Sequence, residues 1–231
     1  FMNYQITYKM EEYDSEMDQL LFYLPLSGSA FKKVYYDPAV GRAVSRFVKA
    51  EHLVVPYYAV DLLTSPRITH VIHMNENELR KLQASGFYKD VELGDPIPYH
   101  SDIEERKAKD SGYSMSDDDR YAVYEIHADM VIDGIDDEDD IAKPYVVTIE
   151  RGNNAVLAIR RNWNPDDPLQ LKRQHFVHYV YVPGFGFYGL GLIHIVGGYA
   201  KAGTSIIRQL VDAGTLANLP AGLKTRGLRV T

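Results

Sequence analysis

The chain has 231 residues, 45% hydrophobic and 25% charged, with a formal net charge of −7 and no cysteine. That length suits one large domain or two small ones; the missing cysteines exclude disulfides and thiolate metal sites; and the negative charge disfavours tight, unspecific nucleic-acid binding by the whole chain. No apolar run long enough to span a bilayer and no secretory leader is read in it, so no membrane contact is expected.

In chain order, "SEMDQLLFYL" predicts a helix capped by Asp14 or Ser15 and stopped by Pro25 and Gly28. "FKKVYY" (31–36) and "AVSRFV" (43–48), joined by "DPAVG", predict a hairpin. "HLVVPYY" and "RITHVIHM" predict two further strands, with Pro56 marking the first as an edge. "NENELRKLQASG" predicts a helix capped reciprocally by Asn75 and Glu78 and closed by Gly86. Residues 94–120 are polar and acidic, and read as a linker with one short helix around Ile103. "AVYEIHADMVI" alternates, with Tyr124, Ile126 and Ala128 on one face and Glu125, His127 and Asp129 on the other, the pattern of a half-buried strand. "YVVTIE", "RGNN" and "AVLAIRR" predict a second hairpin, and "HFVHYVYV" a final strand. A stretch rich in small residues, from Gly189 through Gly191, Gly197, Gly198 and Gly203, reads as a loop into a helix, or a broken helix, packed closely on other segments or other subunits.

Gly184, Gly186 and Gly189 spell G-x-G-x-x-G after a strand. A dinucleotide site also needs a parallel strand ending in a carboxylate about 20 residues on. Asp212 is the only acid after Asp167 and falls inside a helical run, so the glycines are expected to serve packing and no cofactor is expected. His70 and His73, like His175 and His178, are three apart in strands and point to opposite faces, which suits neither pair for one metal ion. The acidic run Asp133–Asp140 lacks the order of a calcium loop and reads as a solvated or interface loop. No catalytic constellation stands out, and no enzymatic activity is expected.

Charge is unevenly spread. Residues 1–89 are neutral, residues 90–140 carry a balance of −14 and residues 141–231 a balance of +7. Such blocks can pair within a subunit or head-to-tail around a ring. The 18 tyrosines suit interfaces as well as cores.

Several stretches resemble the portal proteins of short-tailed bacteriophages: "MNYQIT", "EEYDSEMDQLLFYLPLSGSAFKKVYYD", "VVPYYAVDLLTSPRITHVI", "ELRKLQASGFYKDVEL" and "YGLGLIHIVGGYAKAGTSIIRQLVDAGTLANLPAGLKTRGLRV". They cover well over half the chain, and "DAGTLANLPAGLKTRGLR" is the most specific. The resemblance implies a ring, typically of twelve copies, at one capsid vertex of the virion, assembled in the host cytoplasm. Double-stranded DNA passes through such a ring without sequence-specific contacts. Its partners are further copies of itself, the terminase, capsid or scaffolding protein and a tail adaptor, and it has no catalytic residue to carry over. Complete portals are longer, so the chain is expected to be a central piece. The alternatives are a nucleotide-binding enzyme using the "GFGFYG" turn, or a head–tail adaptor.

The expected fold is α+β, with a mixed or antiparallel sheet, packed helices and a small β-rich module. Residues 1–93 are assigned to an outer, wing-like α+β domain and 94–120 to an acidic linker. Residues 121–182 form the β-rich clip- or stem-like module, and 183–231 a Gly-rich helical segment returning to the body. The residues put forward for subunit or partner contacts are Tyr188, Gly189, Gly191, Gly197, Gly198, Arg160, Arg161, Asp136 and Asp137.

Overall fold

The computed structural model describes residues 1–37, 40–96, 102–113, 120–136 and 141–218. The fold is α+β, built on two antiparallel sheets. A short α1 (Met2–Tyr4) runs through a π-helical turn (Gln5–Lys9) toward α2 (Tyr13–Ser27). Strands β1 (Ser29–Asp37) and β2 (Arg42–Lys49) form the expected hairpin, and β3 (Leu53–Val54) and β4 (Arg67–Met74) follow. Next come α3 (Glu76–Ala84), α4 (Asp102–Asp110), β5 (Tyr121–Met130), β6 (Lys143–Glu150), β7 (Val156–Arg161), β8 (Phe176–Val180) and α5 (Leu192–Asn218).

The strand order is β2-β1-β8 in the smaller sheet and β3-β4-β5-β6-β7 in the larger. Each sheet takes strands from both sides of residues 94–120: β8 pairs with β1, and β5 pairs with β4 over eight residue pairs. Segments 1–93 and 121–182, assigned above to separate units, therefore share both sheets. The reason is hydrogen bonding: β1 and β4 would otherwise each present an open edge, which β8 and β5 fill. Phe31, Val48, Leu53, Leu62, Ile68 and Phe176 form the core between the sheets. A second cluster, Leu79, Tyr88, Tyr121, Val123 and Leu157, lies under α3.

Local chemistry explains most element ends. Asn75 and Glu78 make the reciprocal cap of α3, with the Asn75 amide donating to the Glu78 carboxylate at 3.2 Å. Gly28 ends α2 in the left-handed conformation at φ +87°, and its N–H bonds to Leu24 O at 2.8 Å. Two details of α2 differ from the sequence reading. It begins at Tyr13, so Asp14 and Ser15 lie inside the helix, and Pro25 is accommodated within its last turn. The carboxylates of its first turns act at a distance instead. Glu12 accepts from the Ser45 amide at 3.3 Å and Glu16 from the Phe47 amide at 2.6 Å, while Arg42 and Arg46 pair with the same two acids. The outer edge of β2 is thus capped by side chains in place of a neighbouring strand.

Strand β5 is covered on both faces: Val123 and His127 are buried on one, and Ala122 is buried on the other, where Tyr124 and Ile126 are partly covered. The smaller sheet packs on the Val123–Glu125–His127 face and supplies a counter-charge there.

Candidate functional site

The Gly-rich turn closes on itself. Leu190 N–H bonds back to Val182 O at 2.7 Å, forming an antiparallel bridge, and α5 starts two residues later. Among the described residues β8 has β1 as its only strand neighbour, antiparallel to it, so the strand–turn–helix beside a parallel strand that a pyrophosphate site needs is not formed by them. The glycines are explained by contact with α2. A Cβ on Gly189 would sit 2.5 Å from Gly28 O, and one on Gly191 would sit 2.6 Å from Gly28 N and closer still to Leu26 O. Gly189 N–H donates to Ser29 Oγ at 2.8 Å in a buried position. Gly186, in contrast, has open space where its Cβ would be. Tyr188 stitches the turn to β3: its hydroxyl donates to Leu53 O at 3.1 Å, its ring packs edge-on to Phe187, and burial raises its pKa.

Gly197 and Gly198 belong to another environment. α5 runs unbroken through them, and Gly198 has no neighbouring atom within 4 Å of a built Cβ. No residue of α5 is buried; Leu192, Ile193, Ile195, Val196, Tyr199, Ile206, Ile207, Leu210 and Val211 are all exposed. These side chains recur three and four apart, while Lys201, Arg208 and Asp212 lie between them, so one helix face is apolar and uncovered within the described residues. No helix among the described residues is long and apolar enough to cross a membrane.

Arg160 and Arg161 project from opposite faces of β7. Arg160 stacks 3.6 Å above the Phe87 ring and donates to Phe87 O, fastening β7 to the segment after α3. Arg161 faces Trp163 and, with Lys143 and Tyr145, lines a small pocket of about 250 Å³ that also contains Asp136. Asp136 is consumed internally. Lys143 reaches it at 2.9 Å, Tyr145 OH donates to it at 2.9 Å and Ile132 N–H at 3.1 Å, and the Lys143 bond leads in holding its pKa below the usual carboxylate range. One pair between the acidic and basic blocks thus forms within the chain. Asp137 lies outside the described residues. The described residues hold no group of three or more acids or histidines placed to share a metal ion.

The polar cluster between the sheets escaped the sequence reading. Lys33 Nζ on β1 lies 2.6 Å from Glu125 on β5, and His127 Nε2 donates to the other Glu125 oxygen at 2.7 Å. His127 stands 5.5 Å from the His175 ring, and His175 donates to Asn162 Oδ1 at 2.9 Å. Burial opposes the charge on Glu125, but the His127 bond and the Lys33 ammonium outweigh it and hold the carboxyl below its ordinary range. His70 packs against Phe176; burial first, then Lys33, brings its pKa down to about 3. His178 stacks against both Phe31 and Phe187 and reaches Ser29 Oγ at 3.1 Å. His175 and His178 therefore occupy different surroundings. The only sequence signal for the cluster was charge on one face of an alternating strand.

The chain matches no protein-family model and none of the curated proteins.

Proposed function

We propose that this chain is a structural subunit of the portal ring of a short-tailed bacteriophage. In this reading it contributes to the capsid-vertex channel through which DNA is packaged and ejected, and to the platform on which terminase and tail dock, without catalysis of its own. The resemblance of 188–230 to that family points there, and the observation that carries it into three dimensions is α5. Twenty-seven residues of helix leave the body with an apolar face that no described residue covers. Large exposed apolar surfaces mark interaction sites, and a ring supplies the missing cover from neighbouring subunits. The close backbone packing of Gly189 and Gly191 on α2 fixes the direction in which that helix departs.

The test is the mass and shape of the complete protein. Sedimentation and electron microscopy should give a closed ring with a central channel, and a monomer at all concentrations and salt conditions would defeat the reading. The rival, a nucleotide site in the "GFGFYG" turn, requires nucleotides to raise the melting temperature by mass action; no rise is expected. An adaptor would bind a ring without forming one, which the same mass measurement detects.

A further inference from the structure

The two outer edges of the smaller sheet are treated differently. On β2, the outward amides of Ser45 and Phe47 are occupied by Glu12 and Glu16, as natural proteins commonly block an edge. On β8, the groups facing β1 are those of His175 and Tyr181 and the alternate residues between them, since Val34 N–H bonds to His175 O and Tyr181 N–H to Gly28 O. The main-chain groups of His178 and Val180 therefore face outward, and among the described residues nothing bonds to them; the outward carbonyls on either side, of Phe176 and Val182, are taken by Gln174 Nε2 and Leu190 N–H, so the open edge is short. A groove of about 510 Å³ follows this edge. Val177 lines it from one face of the strand and His178 and Val180 from the other, so it runs along the edge rather than across a face. The loop Val60–Leu63 and the turn Pro183–Phe187 wall it. The walls are mainly apolar, and their one carboxylate, Asp61, is exposed and held below its usual pKa by hydrogen bonds from Thr64.

We propose that this edge receives an extended segment of a partner polypeptide by strand addition. The segment is apolar at alternate residues and carries a basic side chain opposite Asp61. Main-chain bonds to His178 and Val180 supply affinity, and the apolar walls and the carboxylate supply selectivity. A second copy of this chain is the poorer fit. Its β2 edge is blocked by Glu12 and Glu16, and the β7 edge is engaged where Lys89 N–H bonds to Leu157 O. Its β8 edge arrives already flanked by its own Val60–Leu63 and Pro183–Phe187 walls. The inference does not depend on the ring reading.

The probe is a fluorescein-labelled peptide, Lys-Val-Thr-Val-Thr-Val-Thr-Gly, titrated by anisotropy against the protein. Saturable binding is expected. It should weaken about tenfold when a main-chain amide facing β8 is N-methylated, the scale of one lost hydrogen bond, and about threefold when Lys is replaced by Glu. Val180→Pro removes an outward donor that β1 does not use, and should weaken binding about tenfold with the melting temperature retained. The N-methylated peptide keeps the test valid if that variant is destabilised. Absence of binding, or binding indifferent to N-methylation, overturns the proposal. So does a dimer that Val180→Pro dissociates, because the edge would then belong to a second copy.

Discussion

Lys33, Glu125 and His127 are polar and lie between the sheets, whereas Ile193, Ile207 and Leu210 are apolar and stand in solvent on α5. Both regions invert the usual distribution, and they differ in whether the inversion is resolved inside the chain. Between the sheets it is for the charged groups: Glu125 has two cationic or hydrogen-bonding partners and His175 has Asn162, while His70 Nδ1 is buried with no hydrogen-bond partner among the described residues. Buried groups satisfied in this way define a unique packing and ask nothing of the exterior. On α5 it is not resolved. The Glu125 cluster is held by side chains of the chain itself, whereas the apolar face of α5 has no cover among the described residues.

The sharpest way to break this comparison is to unbalance the interior. Glu125→Leu leaves the Lys33 ammonium buried without its counter-charge and should cost about 3–5 kcal/mol in denaturant unfolding. Adding Lys33→Met should recover most of the loss, since a buried ion pair often exchanges for apolar packing at little cost. A double variant as unstable as the single one would mean that the pair is held for something other than structure. The next largest effect is expected where α5 is rooted. Gly191→Ala drives a Cβ into the backbone of Leu26 and Gly28, and a loss of about 3 kcal/mol is expected. Gly186→Ala, a few residues away in open space, should change little. Equal effects at the two sites would contradict the described turn.

Much of the fold was legible because local rules agreed with global ones. The hairpins, the edge position of β3 and the cap of α3 follow from alternation, Pro56 and the Asn75–Glu78 spacing. What the sequence hid was non-local. Nothing near Glu125 announces Lys33, 92 residues earlier, so alternation alone did not show that the polar face of β5 is covered as well. The pairing of β4 with β5 across residues 94–120 had no local signal either, and the domain division drawn there dissolved with it. At the candidate interface, composition identified the small residues but could not separate two reasons for them. Gly189 and Gly191 face backbone, while Gly198 faces nothing among the described residues.

Acid should expose the interior half of the comparison. The pKa of His70 falls from 6.5 unfolded to about 3 folded, so the unfolded chain takes up its proton first. The stabilisation is fully present above pH 6.5 and is lost progressively as pH falls toward 3. Between pH 7 and 5 the loss is about 2 kcal/mol from this residue alone. His175 is lowered by burial and then by His127, and acts in the same direction. The lowered Glu125 adds to the loss only below its unfolded pKa of 4.5. His70→Leu should flatten the acid limb of a stability–pH curve between 7 and 5, and a limb unchanged in slope would remove His70 from the account.

The smallest stability effects are expected on α5, and there the two halves of the comparison separate most cleanly. Gly198→Ala adds a methyl group in open space in a helix interior and should stabilise the isolated chain by up to about 1 kcal/mol. Leu210→Lys replaces an exposed side chain, so the unfolding free energy should stay within about 0.5 kcal/mol. The same change puts a charge into the apolar face that a neighbouring subunit is proposed to cover. Desolvating an unpaired ammonium is costly, so assembly of the complete protein should fail or shift to much higher concentration while the fold persists. Sedimentation of wild type and variant at matched concentration reads the difference. Normal assembly by Leu210→Lys would show that this helix face meets solvent in the working protein. Loss of stability in the isolated chain would show that α5 is covered from within, and the contrast between the satisfied interior and the unsatisfied helix would fall.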